Sequence, residues 1–297
     1  MGVKGYKAFN KGMICKGKQY KENATYEENG NEICEAGVMH FCENPFDVLD
    51  YYQLVDENGN IPDFADVEAI GDVYKKGNKT ATNKLHIGAK LGLKGFVKAC
   101  VDFTIEKARV ESGKDNETDS SGDYAQIGSS GDYAQIGSSG YSAQIGSSGD
   151  SAQIGSSGDY AQIGSSGDYA QIGSNGYSAQ IGSSGDYAQI GSSGYSAQIG
   201  SSGDYAQIGS SGYSAQITSK GKNSVVMAAG YNSIAKAKIG SWITLAEWIR
   251  TDKTNDSGKY IWIPKCVKTE CVDGERIKED AFYKLVDGEF KEVESEE

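Results

Sequence analysis

Apolar and polar positions alternate along this chain with two different periods. Between residues 122 and 218 isoleucine returns every nine residues, at Ile127, Ile136, Ile145, Ile154, Ile163, Ile172, Ile181, Ile190, Ile199, Ile208 and Ile217. Each stands in the unit Gly-Asp-Tyr-Ala-Gln-Ile-Gly-Ser-Ser or a close variant of it. An extended backbone sends residues two apart to the same side, so Tyr-Ala-Gln-Ile predicts a strand with Ala and Ile inward and Tyr and Gln outward. Gly128, Ser129, Ser130 and Gly131 predict the corner, with glycine supplying positive φ and serine bonding its own backbone. Strand and corner repeated in this way make a coil.

The imperfections of the repeat give the length of one rung. Tyr141, Tyr177, Tyr195 and Tyr213 are separated by 36, 18 and 18 residues, and Asp132, Asp150, Asp168, Asp186 and Asp204 by 18, while Asp123 and Asp159 fall outside that series. Two nonapeptides per rung predict a flattened, two-faced β-solenoid, whose regular part would be about 26 Å long at roughly 4.8 Å per rung. Gly221 and Gly230 keep the nine-residue phase, so 222–229 and 231–235 read as degenerate rungs. Trp242, Ile243, Leu245 and Trp248 are expected to seal the open end, since terminal repeats must hide the exposed core.

Outside the repeat the pattern changes. Residues 1–112 predict a small α+β domain. A helix starts at Asn44-Pro45, with Asn as cap and Pro in the first turn, and leads into Phe46, Val48 and Leu49. A second helix covers 91–108, where Leu93, Phe96, Val97, Cys100, Val101 and Ile105 follow helical spacing. Residues 66–73 and 84–87 read as strands. Polar residues 113–121 are the expected linker, 122–240 the solenoid and 241–297 a C-terminal β cap. The cap has strands at 260–267, 282–286 and 290–293 around an Asp287-Gly288 turn. The fold class is therefore mainly β.

Composition narrows the function classes. The 297 residues carry a net charge of −12, which argues against nucleic acid as a direct ligand, because phosphate binding needs clustered Lys and Arg. No apolar run approaches the roughly 18 residues of a membrane span. Without a secretory pattern at Met1-Gly2-Val3-Lys4, a cytoplasmic location is expected. Six cysteines, Cys15, Cys34, Cys42, Cys100, Cys266 and Cys271, are too sparse for a disulfide scaffold, so free thiols are expected. From residue 115 to 219 there are ten carboxylates and no Lys or Arg.

Catalytic and metal signals are thin. Cys34, His40 and Cys42, with Cys15, are zinc-type ligands, but no CxxC spacing accompanies them, and buried thiols with a core histidine account for them better. Calcium β-rolls place Asp two before the aliphatic residue, and here Asp123 sits four before Ile127, so no cofactor is expected. An ice-binding face would show flat threonine arrays. His40 and His86 are the only histidines, and no nucleophile elbow, phosphate loop or HExxH is present, so a catalytic role would have to sit in the first 112 residues.

The segment Cys34-Glu35-x-Gly37-x-x-His40-Phe41-Cys42-Glu43-Asn44-Pro45-x-Asp47 with Tyr51-Tyr52, the Gly-x-x-Ala repeats, and Gly240-Ser241-Trp242-x-x-Leu245-Ala246-Glu247-Trp248 resemble a family of uncharacterised phage and prophage proteins. Val38-Met39 replaces a single Phe expected before His40. The resemblance implies a mobile-element origin and carries no activity. The expected contact surface is then the solenoid. Tyr124, Tyr133, Tyr160, Tyr169, Tyr187 and Tyr205 form an exposed ladder, and Asp123, Asp132, Asp150, Asp159, Asp168, Asp186 and Asp204 an acidic one. Aspartates at corners also keep a flat β surface soluble, and stacked tyrosines also stabilise a shaft. The expectation is a non-enzymatic binding protein with a basic protein partner, such as a host defence or nucleic-acid-binding protein that it inhibits. A homodimer through the flat face, a structural or virion-associated spacer, and an enzyme in the N-terminal domain are the alternatives.

Overall fold

The computed structural model describes residues 2–30, 37–55, 60–111, 117–120 and 122–293, with the backbone alone at 106–111 and 117–120. A β-solenoid of about seven turns occupies residues 126–245. Two nonapeptides make each turn, because every strand pairs in parallel with the strand 18 residues on: Gln126 with Gln144, Ile127 with Ile145, Gly128 with Gly146 and Ser129 with Ser147, and likewise up the stack. Strands therefore sort into two nine-stranded sheets. One holds Gln126–Ser129, Gln144–Ser147, Gln162–Ser165 and their successors; the other holds Gln135–Ser138, Gln153–Ser156, Gln171–Ser174 and theirs.

The strand is Gln-Ile-Gly-Ser, two residues later than the sequence pattern predicts, and the corner is Ser-Gly-Asp-Tyr or Ser-Gly-Tyr-Ser. Two forces shift it. The residue before Ala takes the left-handed conformation, with φ of 50–59° at Tyr124, Tyr133, Ser142, Tyr160 and their equivalents, so the positive φ expected of glycine is borne by Tyr and Ser. The corner glycines are needed for closeness instead: at Gly140, Gly158, Gly176 and their equivalents an added Cβ would be driven into the carbonyl oxygen of the corner glycine one rung before. The interior is also less uniform than predicted. Ala134, Ile136 and Ser138 all point inward, so one serine of each pair lines the core beside stacked isoleucines, and only the other faces out. The hydroxyls of Ser147, Ser165, Ser183 and Ser201 are buried without a hydrogen-bond partner.

At the C-terminal end antiparallel hairpins extend both sheets. Trp242–Thr254 forms the last parallel rung and then pairs with Tyr260–Cys271. Phe282–Val286 joins the other sheet and pairs with Glu289–Val293. Ile243 and Leu245 plug the core as expected, Trp248 bonds the Ala229 carbonyl at 3.0 Å, and Trp242 points outward, since alternation puts it opposite Ile243.

The N-terminal domain has an antiparallel sheet of Val3–Phe9, Asp63–Ala69, Lys84–Leu91 and Ala24–Glu27, and a smaller one of Met39–Phe41, Lys79–Thr82 and Val73–Lys76. The strand expected at 66–73 is broken at 70–72 and serves two sheets. The helix expected at Asn44-Pro45 is a short 3-10 helix, Phe46–Asp50, whose first amide is bonded by the Asn44 side chain at 3.0 Å. The predicted second helix is α1, Leu93–Glu111.

This domain lies along one sheet of the solenoid. Helix α1 sits on the row of strand glycines: Thr104 and Ile105 over Gly128, Thr104 and Val101 over Gly146, Val101, Val97 and Phe46 over Gly164, Val97 over Gly182, and Leu93 with Leu54 over Gly200. The contacting residues move from Ile105 at Gly128 to Leu93 at Gly200, about three residues per rung, so roughly 4.5 Å of helix spans a rung of about 4.8 Å and the helix runs nearly along the stack. Beside it the glutamine row reads residues 44–55. Gln144 accepts from Asn44 at 2.8 Å and donates to Asp47 at 3.1 Å; Gln162 donates to Asp50 at 3.3 Å; Gln180 accepts from the Leu54 amide at 3.2 Å. Val55 then packs with Ile234 and Phe282 near the far end. We term this the docked face. Of the expected linker, 113–121, residues 113–116 and 121 lie outside the described ones, and Glu117–Ser120 is a strand instead, paired in parallel with Gln135–Ser138 as the first of the second sheet.

Candidate protein-binding surfaces

The corners of the solenoid form two edges with different chemistry. On the edge that leads into the docked face, aromatic rings contact one another in unbroken succession: Tyr124, Tyr141, Tyr160, Tyr177, Tyr195, Tyr213, Tyr231 and finally Trp262 of the C-terminal hairpin, at centroid separations of 4.3–5.9 Å. Tyr177, Tyr195 and Tyr213 stack nearly parallel. Tyr124, Tyr141, Tyr160, Tyr177, Tyr195 and Tyr213 are 40–70% exposed. Tyr260, Ile261 and Ile263 of the same strand are also exposed.

The opposite edge is acidic. Asp132, Asp150, Asp168, Asp186 and Asp204 stand in one file, each carboxylate accepting the backbone amide of the next rung at 2.7–3.0 Å, and the last amide belongs to Lys222. Here Tyr169, Tyr187 and Tyr205 stack, while Tyr133 is 75% exposed. The six tyrosines expected to form one ladder are therefore divided: Tyr124 and Tyr160 belong to the aromatic edge, and Tyr133, Tyr169, Tyr187 and Tyr205 to the acidic one. Asp123 and Asp159, the departures from the 18-residue series, lie on the aromatic edge and bond the amides of Tyr141 and Tyr177. Each aspartate is thus a corner staple as well as a charge. The side chains of Asp115, Glu117 and Asp119, also counted in the acidic tract, lie outside the described ones.

Pattern reading missed Tyr141, Tyr177, Tyr195, Tyr213 and Trp262 as ladder members. The signal was present in the 18-residue spacing, but Tyr occupies two different slots of the nonapeptide, Gly-Tyr-Ser and Gly-Asp-Tyr. That both slots project toward one ladder is a property of the corner geometry.

Among the described residues, no domain lies upon the second sheet. Gln135, Gln153, Gln171, Gln189 and Gln207 stand exposed beside Gly137, Gly155, Gly173, Gly191 and Gly209, which floor a groove of about 970 Å³ that ends at Val225, Met227 and Thr244. Nothing lies within 4 Å of a Cβ placed on Gly155 or Gly191. We term this the open face.

The N-terminal domain holds a cavity of about 640 Å³ lined by Lys7, Cys15, Tyr20, His40, Cys42 and Tyr52 among others. Lys7 is buried, its ammonium donates to the His40 carbonyl at 2.8 Å, and burial pulls its pKa down. The Tyr52 hydroxyl lies 3.4 Å from the Cys15 sulfur. Burial, and then Lys7, Lys79 and Lys16, lower the His40 pKa to about 4, while burial and nearby Asp47 push the Cys42 thiol up to about 12. Both shifts disfavour a metal at His40 and Cys42: lysines repel a cation, and the thiol holds its proton. Cys34 lies outside the described residues, and among these no group of three His, Cys, Asp or Glu is close enough to hold a metal ion. No described helix is long and apolar enough to cross a membrane.

A family model described as a domain of unknown function, DUF7666, matches residues 3–99, which covers the N-terminal sheets and the first part of α1. No curated protein and no solved structure matches the chain.

Proposed function

We propose that this is a non-enzymatic binding protein whose ligand is another protein, gripped along the aromatic edge and drawn in by the acidic one. The observation that carries it is the unbroken ladder of eight rings from Tyr124 to Trp262. Rungs of a solenoid are already held by backbone pairing and buried isoleucine, so a shaft does not need exposed rings to stand. A contiguous exposed aromatic stripe is instead the surface that gains most by being covered. Five aspartates in one file supply a field that speeds encounter with a basic partner and weakens with salt. The finer identification, an inhibitor of a host defence or nucleic-acid-handling protein, draws on this charge and on the resemblance to phage and prophage proteins.

The test is capture from a lysate of the cell in which the gene is found, with the tagged protein and with a Tyr177→Asp, Tyr195→Asp variant. The repeat itself places Asp150 in the same slot of the unit Gly-Asp-Ser, so the variant keeps the fold. A stoichiometric basic protein held by the parent, released at high salt and lost by the variant supports the proposal. A partner that ignores both changes overturns it, and self-association alone transfers the protein to a structural role.

A further inference from the structure

The two faces of the solenoid carry the same outward residues, yet only one is covered. On the docked face Gly146, Gly164, Gly182 and Gly200 are buried under α1, and the glutamine row is occupied by residues 44–55. On the open face Gly155, Gly173 and Gly191 are exposed, and Gln153, Gln171 and Gln189 are exposed with no domain over them among the described residues. The molecule therefore shows what its own repeat surface accepts. Glycines in register make a shallow trough, and an α-helix laid along it fills it with apolar side chains at four-residue intervals, each serving one or two rungs, as Val97 serves Gly164 and Gly182 and Val101 serves Gly146 and Gly164. The open face differs in one respect: its glutamine row is bordered by Asp132, Asp150, Asp168, Asp186 and Asp204, three residues before each glutamine.

We propose that the open face seats one α-helix of the partner protein. That helix carries Val, Leu or Thr at four-residue intervals, as Leu93, Val97, Val101 and Ile105 are spaced in α1, and Lys or Arg along the flank that lies over the aspartates. The seat rests on the binding role proposed above and deepens it. A second copy of α1 is a poor occupant, because each copy is held on its own docked face.

The probe is a synthetic 20-residue helical peptide with Val or Leu at four-residue intervals and a lysine flank. A scrambled peptide of the same composition is the comparison, and each is titrated into the full-length protein by fluorescence anisotropy. The blocking variant is Gly155→Val with Gly191→Val. Both sites are strand positions without positive φ and have empty space around them, so the valines fill the trough while the rungs stand, as thermal unfolding will verify. The patterned peptide is expected to bind at least about tenfold tighter than the scrambled one and to lose at least about tenfold on the blocked variant, each a difference of roughly 1.4 kcal/mol. It should bind the Tyr177→Asp, Tyr195→Asp variant as it binds the parent. No binding, equal binding of the two peptides, or binding indifferent to the valines overturns the seat. If the peptide fails while lysate capture still depends on the tyrosines, the seat alone is wrong; if both fail, the binding role falls with it.

Discussion

The corner glycines and the strand glycines of the open face have opposite tolerances. Gly176, at a corner, lies so close under Gly158 that any Cβ collides with backbone, which cannot move aside as a side chain can. Gly191, in a strand on the open face, faces empty space. Gly176→Ala is expected to cost at least about 1–3 kcal/mol, the usual range for overpacking. Gly191→Val is expected to leave stability within about 0.5 kcal/mol of the parent, as surface substitutions usually do. Chemical denaturation of the two variants side by side checks this, and a similar loss at both sites would contradict the stacking described. The residue before Ala is equally instructive. It holds φ of 50–59° as Tyr or Ser, types that pattern rules do not place there by default. For this reason the sequence pattern, which assigns positive φ to glycine, puts the corner two residues early while identifying the rung length and inward isoleucines correctly.

At the scale of elements, the segment 44–55 links the N-terminal cavity to the glutamine row. Burial raises the Asp47 pKa to about 6 against the pull of its bond from Gln144, whereas burial and three lysines lower His40 to about 4. The signs oppose. Between about pH 4 and 6 the folded state binds more protons than the unfolded chain at Asp47, so that group adds stability as pH falls; at His40 it binds fewer, so that group removes stability as pH falls through the same window. Asp47→Asn keeps an acceptor for Gln144 and Asn44 and deletes the first contribution. Its stability should fall more steeply than the parent's between pH 6.5 and 4, and that of His40→Asn less steeply. Thermal unfolding measured across that window checks both, and parallel curves for all three proteins would refute the two shifts. The helix itself was legible in the sequence from its apolar spacing. Its destination was not: the residues that receive it are glycines, which leave no apolar signal, and the glutamines that read 44–55 look identical to those left in solvent on the other face.

The whole molecule is a shaft with a splint. The N-terminal domain touches the docked face from Gly128 to Gly200, and Val55 reaches Ile234 and Phe282 beyond the regular repeat. Removing residues 175–183, one nonapeptide, would exchange the two faces for everything that follows, joining the aromatic file to the acidic one and presenting the cap to the wrong sheet. Removing 166–183, one full rung, keeps faces and edges but shortens the seat under the splint. The nine-residue deletion is expected to yield little folded protein, and the 18-residue deletion a folded shaft with faster hydrogen exchange over 44–55 and in α1. Protection in α1 equal to the parent's in the shorter shaft would show that the splint does not measure length.

Near-identical tandem units in a gene are prone to gain and lose copies when the DNA is copied. Here a slip by one unit is expected to ruin the product, and a slip by two to loosen it. If those outcomes hold, the first domain works as a gauge, cut to one length, against which an inherited change in the repeat is tested as the chain folds.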